Sequence, residues 1–344
     1  MKFKKYWLLL VLSIAAAILT ACVENNDSAA PQGNSEGSSE GDTRTFKIAH
    51  VVQESHVWNA TAVKFGEELS ALSDGRLNVD IYPASQLGAE ADMVQQIETG
   101  TVDFGFITNA YMSTREDSLN AWFMPYLFNN LEEAVAMRDS EEAKQMLEAL
   151  SSQGLVGLDF AFAGNRHVLM KDGFAETPED LKGKKIRIIG SPAMQSYWEK
   201  VGAGPTAMPL SEVYTSLQTG VIDGIDIDLD ALATEKYYET AKYLTLTNQM
   251  TFPTVIVMSQ KIYDELSPED QDIVKQAMKT AVDWGVEEAV KREASNLETL
   301  KAAGVEVQES IDTAPFQAVT DEVRKEFSDK SDIVKSFIET VESK

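Results

Sequence analysis

Two arginines in apolar surroundings are the side chains best suited to bind an anion. Arg187 lies in KKIRIIGSP, between Ile186 and Ile188, so on a strand its side chain points to the opposite face from theirs. A guanidinium stays charged at physiological pH and offers parallel donors that match a carboxylate. Arg166, in AGNRHVLM, is a second candidate of the same kind. The alternative for Arg187 is an exposed arginine on a sheet edge.

An acidic run follows a predicted strand further along the chain. Asp226, Asp228 and Asp230 could accept hydrogen bonds from hydroxyl or ammonium groups of a ligand, or they could be solvated acids. No catalytic or metal-binding motif accompanies them: the three histidines lack metal spacing, Cys22 is the only cysteine, and no P-loop, GxGxxG, GxSxG or HExxH motif occurs. The sequence therefore favours a binding protein without metal or cofactor over an enzyme.

The elements that must position these residues alternate between strand and helix. Gly100 is suited to the left-handed conformation that closes a helix, and Pro83 ends a strand. The alternation predicts an α/β fold with a largely parallel sheet. The predicted elements are strand 45–52, helix 58–72 with Val63, Phe65, Leu69 and Leu72 buried, strand 77–82, helix 89–99 and strand 102–107.

One phrase recurs along the chain. QQIETGTVDFGFI, at positions 95–107, aligns without gaps with TSLQTGVIDGIDI, at positions 215–227, an offset of 120. The simple explanation is that helix–Gly–strand units are common in α/β folds. The other is a pair of similar lobes whose strands end at a shared cleft, where open α/β sheets bind ligands. Thr108 and Asn109 would then face the acidic run across the cleft.

Composition limits the possible partners. The chain has 30 Lys and Arg against 55 Asp and Glu, a formal net charge of −25. So acidic a surface repels nucleic acid and anionic membranes, so neither is an expected partner. About 300 residues of folded chain are too many for one small core and predict two lobes. Nothing in the sequence requires more than a monomer.

The N-terminal residues predict export. Residues 1–21 combine lysines, an uncharged apolar stretch and Leu-x-Ala ahead of Cys22, the layout of a lipoprotein signal peptide. An uncleaved membrane anchor is the alternative. Residues 22–44 are polar and predict a disordered tether. We therefore expect an extracytoplasmic protein held at the cell membrane by a lipid on Cys22, which favours a Gram-positive source.

Several segments resemble the solute-binding proteins of tripartite ATP-independent periplasmic (TRAP) transporters, the DctP family. These are YPASQLG, TPEDLKGKKIRIIGSP, GAGPTAMPLSEVYTSLQTGVIDGID, EKYYETAKYLTLTNQ and LSPEDQDIV. The resemblance implies a two-lobed fold like that of type II periplasmic binding proteins, with a long helix spanning both lobes, for which the pattern from Pro268 to about Ala303 is suited. It also implies capture of a small organic acid and delivery to the small and large subunits of a membrane permease driven by an ion gradient.

The resemblance also implies roles for particular residues. The arginine that clamps a carboxylate falls on Arg187, and a second arginine near the ligand falls on Arg166. Leu210 occupies a position often held by an aromatic residue, and Ile227 replaces an asparagine that helps to hold the carboxylate. Positions near the ligand in the other lobe fall on His56, Thr108 and Asn109, although His56 could instead cap the helix that follows it.

The expected organisation places the first lobe at 45–165, the second at 166–254, and the long helix and C-terminal helices at 255–344, part of which returns to the first lobe. Other functions remain open: a binding protein of an ABC importer or sensor, or a secreted lyase or hydrolase that uses the aspartates.

Overall fold

The computed structural model describes residues 43–344. The predicted signal peptide, the lipid attachment at Cys22 and nearly all of the tether lie outside these residues. Within them, no helix has both the length and the apolar character needed to cross a membrane.

The strands of the described residues form one nine-stranded sheet in the order β2-β1-β3-β8-β4-β7-β5-β6, with β9 paired to β8. The strands are β1 Arg44–His50, β2 Leu77–Tyr82, β3 Phe104–Thr108, β4 Leu155–Met170, β5 Lys185–Ile188, β6 Gly204–Ala207, β7 Gly224–Ile227, β8 Tyr243–Ser259 and β9 Glu306–Gln308.

Two parallel sets of strands are joined by two long antiparallel strands. The first lobe contains β1, β2 and β3 in parallel, and the second contains β5, β6 and β7 in parallel. Strands β4 and β8 run through both lobes, antiparallel to each other, with register shifts along their length. One shift lies at Gly164, whose φ of 141° is open to glycine but strained for other residues. The predicted parallel strands are thus present, whereas the antiparallel crossing was not foreseen.

The repeated phrase forms the same unit in both lobes, a helix and a left-handed glycine that lead into β3 or β7. Its aspartate makes the same bond in each copy. The side chain of Asp103 accepts a hydrogen bond from the backbone N–H of Lys47 at 2.8 Å. Asp223 accepts one from the backbone N–H of Lys185, also at 2.8 Å. Each aspartate thereby ties the start of β3 or β7 to the neighbouring parallel strand, which supports two lobes of similar plan.

Helices pack against the sheet within residues 43–344. They are α1 Val57–Leu72, α2 Glu90–Thr99, α3 Asn109–Met112, α4 Leu131–Val135, α5 Glu141–Ala149, α6 Pro178–Leu181, α7 Pro192–Val201, α8 Leu210–Thr219, α9 Leu229–Thr234, α10 Gln260–Asp264, α11 Pro268–Ala302, α12 Gln317–Lys330 and α13 Asp332–Glu342.

The 35-residue helix α11 is the expected lobe-spanning element. It packs on α1 of the first lobe and on α9 of the second. Gly285 lets α11 approach α1 closely, because a Cβ there would overlap Thr61. The buried face predicted for α1 is partly wrong: Phe65 and Leu69 are buried, but Val63 is 44% and Leu72 37% exposed. The buried face is rotated toward Thr61 because α11 packs on that side.

Candidate functional site

A cavity of about 280 Å³ lies at the carboxyl ends of the parallel strands of both lobes. Residues that follow β1, β2, β3, β5, β6 and β7 line it, together with Arg166 of β4 and Phe252 of β8. This is the position at which open α/β sheets bind ligands. The predicted site residues found in its lining are His56, Thr108, Arg166, Arg187, Leu210, Ile227 and Asp228. Asn109 and Asp226 are not in the lining.

Arg187 is buried and forms no ion pair within the described part of the chain. Strand β5 places it at the cavity, where it is only 1% exposed. Its Nε and Nη2 donate to the carbonyl oxygen of Met208 at 3.2 and 2.9 Å. Among residues 43–344, its Nη1 has no hydrogen-bond partner, and no carboxylate lies within 4.0 Å of its side-chain nitrogens. Burial lowers the pKa of the guanidinium to about 10, which still leaves it charged at neutral pH.

Arg166 lines the same cavity, but its charge is paired with two aspartates of the protein. Its Nε contacts the Asp226 carboxylate, its Nη2 donates to the Asp226 carbonyl, and its Nη1 lies 3.1 Å from Asp228 Oδ2. The guanidinium carbon also lies 4.1 Å from the centre of the Phe252 ring. Two carboxylates and an aromatic face therefore fix this arginine in place and offset its charge.

The two partner aspartates hold other groups as well. Asp226 is fully buried and accepts a hydrogen bond from Trp198 Nε1 at 2.8 Å. Asp228 caps α9 by accepting from the backbone N–H of Ala231 at 2.8 Å. Both carboxylates thus have structural partners within the protein, and only Asp228 also borders the cavity.

His56 caps a helix, as the alternative interpretation held, and it also borders the cavity. Its Nδ1 accepts a hydrogen bond from the backbone N–H of Trp58 at 3.1 Å. On the other side of the ring, Nε2 lies 3.6 Å from Asp230 Oδ2 and 4.0 Å from Asp228 Oδ1. The histidine therefore links the start of α1 in the first lobe to α9 in the second.

Sequence reasoning missed Glu90. The Thr108 backbone N–H and hydroxyl both donate to its carboxylate, at 2.6 and 3.0 Å. Burial raises the pKa of Glu90 to about 7, against the opposing effects of these bonds and of Arg187. Glu90 begins the helix that follows β2, so the rule that placed Thr108 at the cleft could also have found it. Neighbouring Asn109 is turned away and donates to the carbonyl of Leu119 at 2.9 Å.

The remaining wall is mainly apolar. Ile227 is 1% exposed at the end of β7, and Leu210 begins α8. Other apolar side chains that line the cavity include Val52, Trp58, Ile189, Met208 and Phe252. The site thus combines a largely apolar surface with a guanidinium that forms no ion pair among residues 43–344.

Known proteins resemble this chain in sequence. The family model described as bacterial extracellular solute-binding protein, family 7, matches residues 48–331. A solute-binding protein of Roseobacter denitrificans is 32% identical over 281 residues, covering 80% of this chain and 84% of that protein. The 2,3-diketo-L-gulonate-binding periplasmic protein YiaO of Escherichia coli is 27% identical over 285 residues, covering 83% and 87%.

A solved structure shows the same architecture. The TRAP periplasmic solute-binding protein of Xanthobacter autotrophicus Py2, with bound β-D-galacturonate, superposes with a TM-score of 0.82 at 30% identity, covering 87% of this chain and 99% of that one. The family model spans most of residues 43–344, and the relatives are aligned over most of their own length. The chain therefore belongs to family 7 of the bacterial extracellular solute-binding proteins, the solute-binding components of TRAP transporters.

Proposed function

We propose that this protein captures a small organic carboxylate in the cavity and that Arg187 binds the carboxylate group. The observation that carries the proposal is a buried guanidinium at the cavity wall whose Nη1 has no partner among residues 43–344. A buried positive charge without a counter-ion is unfavourable, so an anionic ligand supplies what the site lacks. YiaO, named for a sugar acid, and the galacturonate-bound relative support a carboxylate ligand.

The local charge at Arg187 also explains how an acidic protein attracts an anion. The chain has a net charge of −25, which repels anions at a distance. Charges interact more strongly in a buried cavity than across solvent, so one nearby guanidinium outweighs many distant carboxylates. In this proposal Arg166 holds its two aspartates and shapes the wall, and Arg187 supplies the attraction.

Closure of the lobes would complete the binding site. Strands β4 and β8 cross between the lobes with register shifts, which are places where a small bend can be absorbed. Closing around the ligand excludes water and strengthens its contact with Arg187. The closed protein then delivers the ligand to the two-part TRAP permease for uptake driven by an ion gradient.

The decisive test compares Arg187→Met with Arg115→Met, whose guanidinium forms a partly exposed ion pair with Glu98. A thermal-shift screen against mono- and dicarboxylates, keto acids, sugar acids and amino-acid derivatives identifies a ligand, and calorimetry measures its affinity. Loss of a buried charge contact costs about 2–5 kcal/mol, so Arg187→Met should weaken binding by roughly 30-fold or more. Arg115→Met should bind normally. Unchanged affinity in Arg187→Met would overturn the proposal.

We also propose that the protein acts as a monomer held at the outer face of the membrane by a lipid on Cys22. The apolar stretch that ends in Leu-x-Ala-Cys supports the lipid anchor. Mass spectrometry of the membrane fraction should find Cys22 acylated, and Cys22→Ser should move the protein out of that fraction. An unmodified protein that keeps Met1 would contradict lipid anchoring without affecting the binding proposal.

A further inference from the structure

We infer that the ligand is a monocarboxylate with a hydrocarbon body, such as a branched-chain 2-hydroxy or 2-oxo acid, rather than a polyhydroxylated sugar acid or a dicarboxylate. This inference rests on the proposed function of Arg187 and adds the chemistry of the rest of the ligand. It is carried by the distribution of charge and of polar groups around the cavity.

The charges in the cavity wall match one carboxylate. Two arginines line the cavity. Arg166 forms ion pairs with Asp226 and Asp228, whereas Arg187 forms no ion pair with any carboxylate of residues 43–344. The other charged groups of the lining include the acids Glu90 and Asp228. A second carboxylate on the ligand would meet negative charge without a cation to offset it. A dicarboxylate is therefore disfavoured.

The uncharged polar side chains of the wall come from the first lobe, which also contributes apolar residues such as Val52 and Trp58. The first lobe contributes Ser85, Glu90, Thr108 and Tyr111. The Thr108 hydroxyl is already committed to Glu90 at 3.0 Å. This side can pair with one or two polar groups of a ligand, for example a hydroxyl that donates to Glu90.

Apart from Arg187 and Asp228, the part of the wall that the second lobe contributes is mainly apolar. Ile189, Met208, Leu210 and Ile227 line the cavity there, and none of these side chains can donate a hydrogen bond. A sugar acid carries hydroxyls around its whole ring, and those facing this wall would lose water without gaining a partner. A branched hydrocarbon chain would instead bury apolar surface against it. The geometry thus favours a ligand with its polar groups at one end.

The test uses four acids of defined chemistry: 2-hydroxy-4-methylpentanoate, 4-methyl-2-oxopentanoate, galacturonate and succinate. Calorimetry measures their affinities for the unaltered protein, Ile227→Asn and Leu210→Gln. Leu210 is partly exposed, so its variant is expected to fold even where Asn at the buried position 227 lowers stability. Val221→Asn, at a 54% exposed position of the same lobe, is the matched control. Circular dichroism and melting temperature verify folding.

The unaltered protein and Val221→Asn should bind at least one branched-chain acid at least tenfold more tightly than galacturonate or succinate. Ile227→Asn or Leu210→Gln should reduce that preference about tenfold, because each adds a hydrogen-bonding group to the apolar wall. Tighter binding of galacturonate or succinate, or no binding of either branched-chain acid, would overturn the inference. Dependence of the bound acid on Arg187 is measured separately, so a sugar acid that needs Arg187 would refute this inference and leave the proposed function standing.

Discussion

Arg166 and Arg187 lie in the same cavity wall and are equally buried, at 0% and 1% exposure, yet their surroundings differ. Arg166 contacts two carboxylates and the face of Phe252, whereas the charged partner of Arg187 is missing among residues 43–344. Residue type and burial alone would have assigned them the same role. What separates them is whether the protein itself supplies the counter-charge.

The comparison has an energetic meaning. A buried ion pair with good geometry holds a structure together, and removal of one partner leaves the other charge uncompensated. A buried charge without a partner costs stability until a ligand supplies one. The lowered pKa of Arg187, about 10, reflects this cost of burial. Arg166 is therefore expected to support the fold and Arg187 to support binding.

The largest expected effect is on stability at Arg166. Arg166→Met leaves Asp226 and Asp228 buried without their cation, and should lower the free energy of unfolding by about 3–5 kcal/mol. Urea denaturation of the ligand-free protein measures this change. The exposed pair at Arg115 provides the control, because Arg115→Met should cost no more than about 1 kcal/mol. If Arg166→Met lowers the free energy of unfolding no more than Arg115→Met does, Arg166 does not support the fold in the way proposed.

A smaller loss of stability is expected at Asp230, a member of the acidic run that contacts the first lobe. Asp230 accepts hydrogen bonds from the backbone N–H of Val57 at 2.7 Å and from Asn296 Nδ2 at 2.8 Å. Asp230→Ala leaves both donors without their acceptor and should lower the free energy of unfolding by about 1–3 kcal/mol. Asp230→Asn keeps an acceptor oxygen and should recover most of that loss. If both variants lose the same free energy of unfolding, the charge of Asp230 rather than its hydrogen bonds connects the two lobes here.

The acid in the cavity should make ligand binding depend on pH. Glu90 has a pKa of about 7 and gains a negative charge as pH rises through that value, which repels an anionic ligand. If the bound anion raises the pKa of Glu90 by one unit, the affinity should fall by up to about tenfold between pH 6 and pH 8, because each pKa unit corresponds to a factor of ten. Glu90→Gln should remove this dependence. Calorimetry at both pH values provides the measurement, and affinity that rises with pH would contradict the assignment.

The same titration affects the free protein. Because Glu90 has an ordinary pKa of 4.5 and a folded value of about 7, the folded state binds more protons in that interval. The contribution of Glu90 to the free energy of unfolding therefore falls as pH rises from about 4.5 through 7. Glu90→Gln should show a smaller decline than the unaltered protein in urea titrations across this range. An identical decline would show that Glu90 does not have a raised pKa.

The smallest expected effect is on the stability of the ligand-free protein at Arg187. Among the described residues, Arg187→Met breaks no ion pair, and the only side-chain hydrogen bonds lost are the two to the Met208 carbonyl. We expect a free energy of unfolding within about 1 kcal/mol of the unaltered protein, or above it. The same urea titrations used for Arg166→Met make the comparison direct. A loss of about 3 kcal/mol would show that Arg187 also supports the fold.

Much of the fold was accessible from local pattern. The repeated phrase predicted matching helix–strand units in both lobes, because a C-terminal glycine and an apolar strand are specified by a few adjacent residues. The rule that parallel strands end at a ligand cleft predicted Thr108 and Asp228 there, and both line the cavity. The same rule could not show that Asn109 is turned toward Leu119, since that depends on local packing.

The sequence by itself determined the family, the long helix α11 and the presence of arginines near a cleft, since these depend on residue order and periodicity. Only the tertiary structure decided which arginine is available. Arg166 meets Asp226 only because β4 and β7 pair along the sheet, whereas Arg187 forms no ion pair with any carboxylate of residues 43–344. Counter-charge is a property of distances between residues far apart in sequence, so no local pattern contains it.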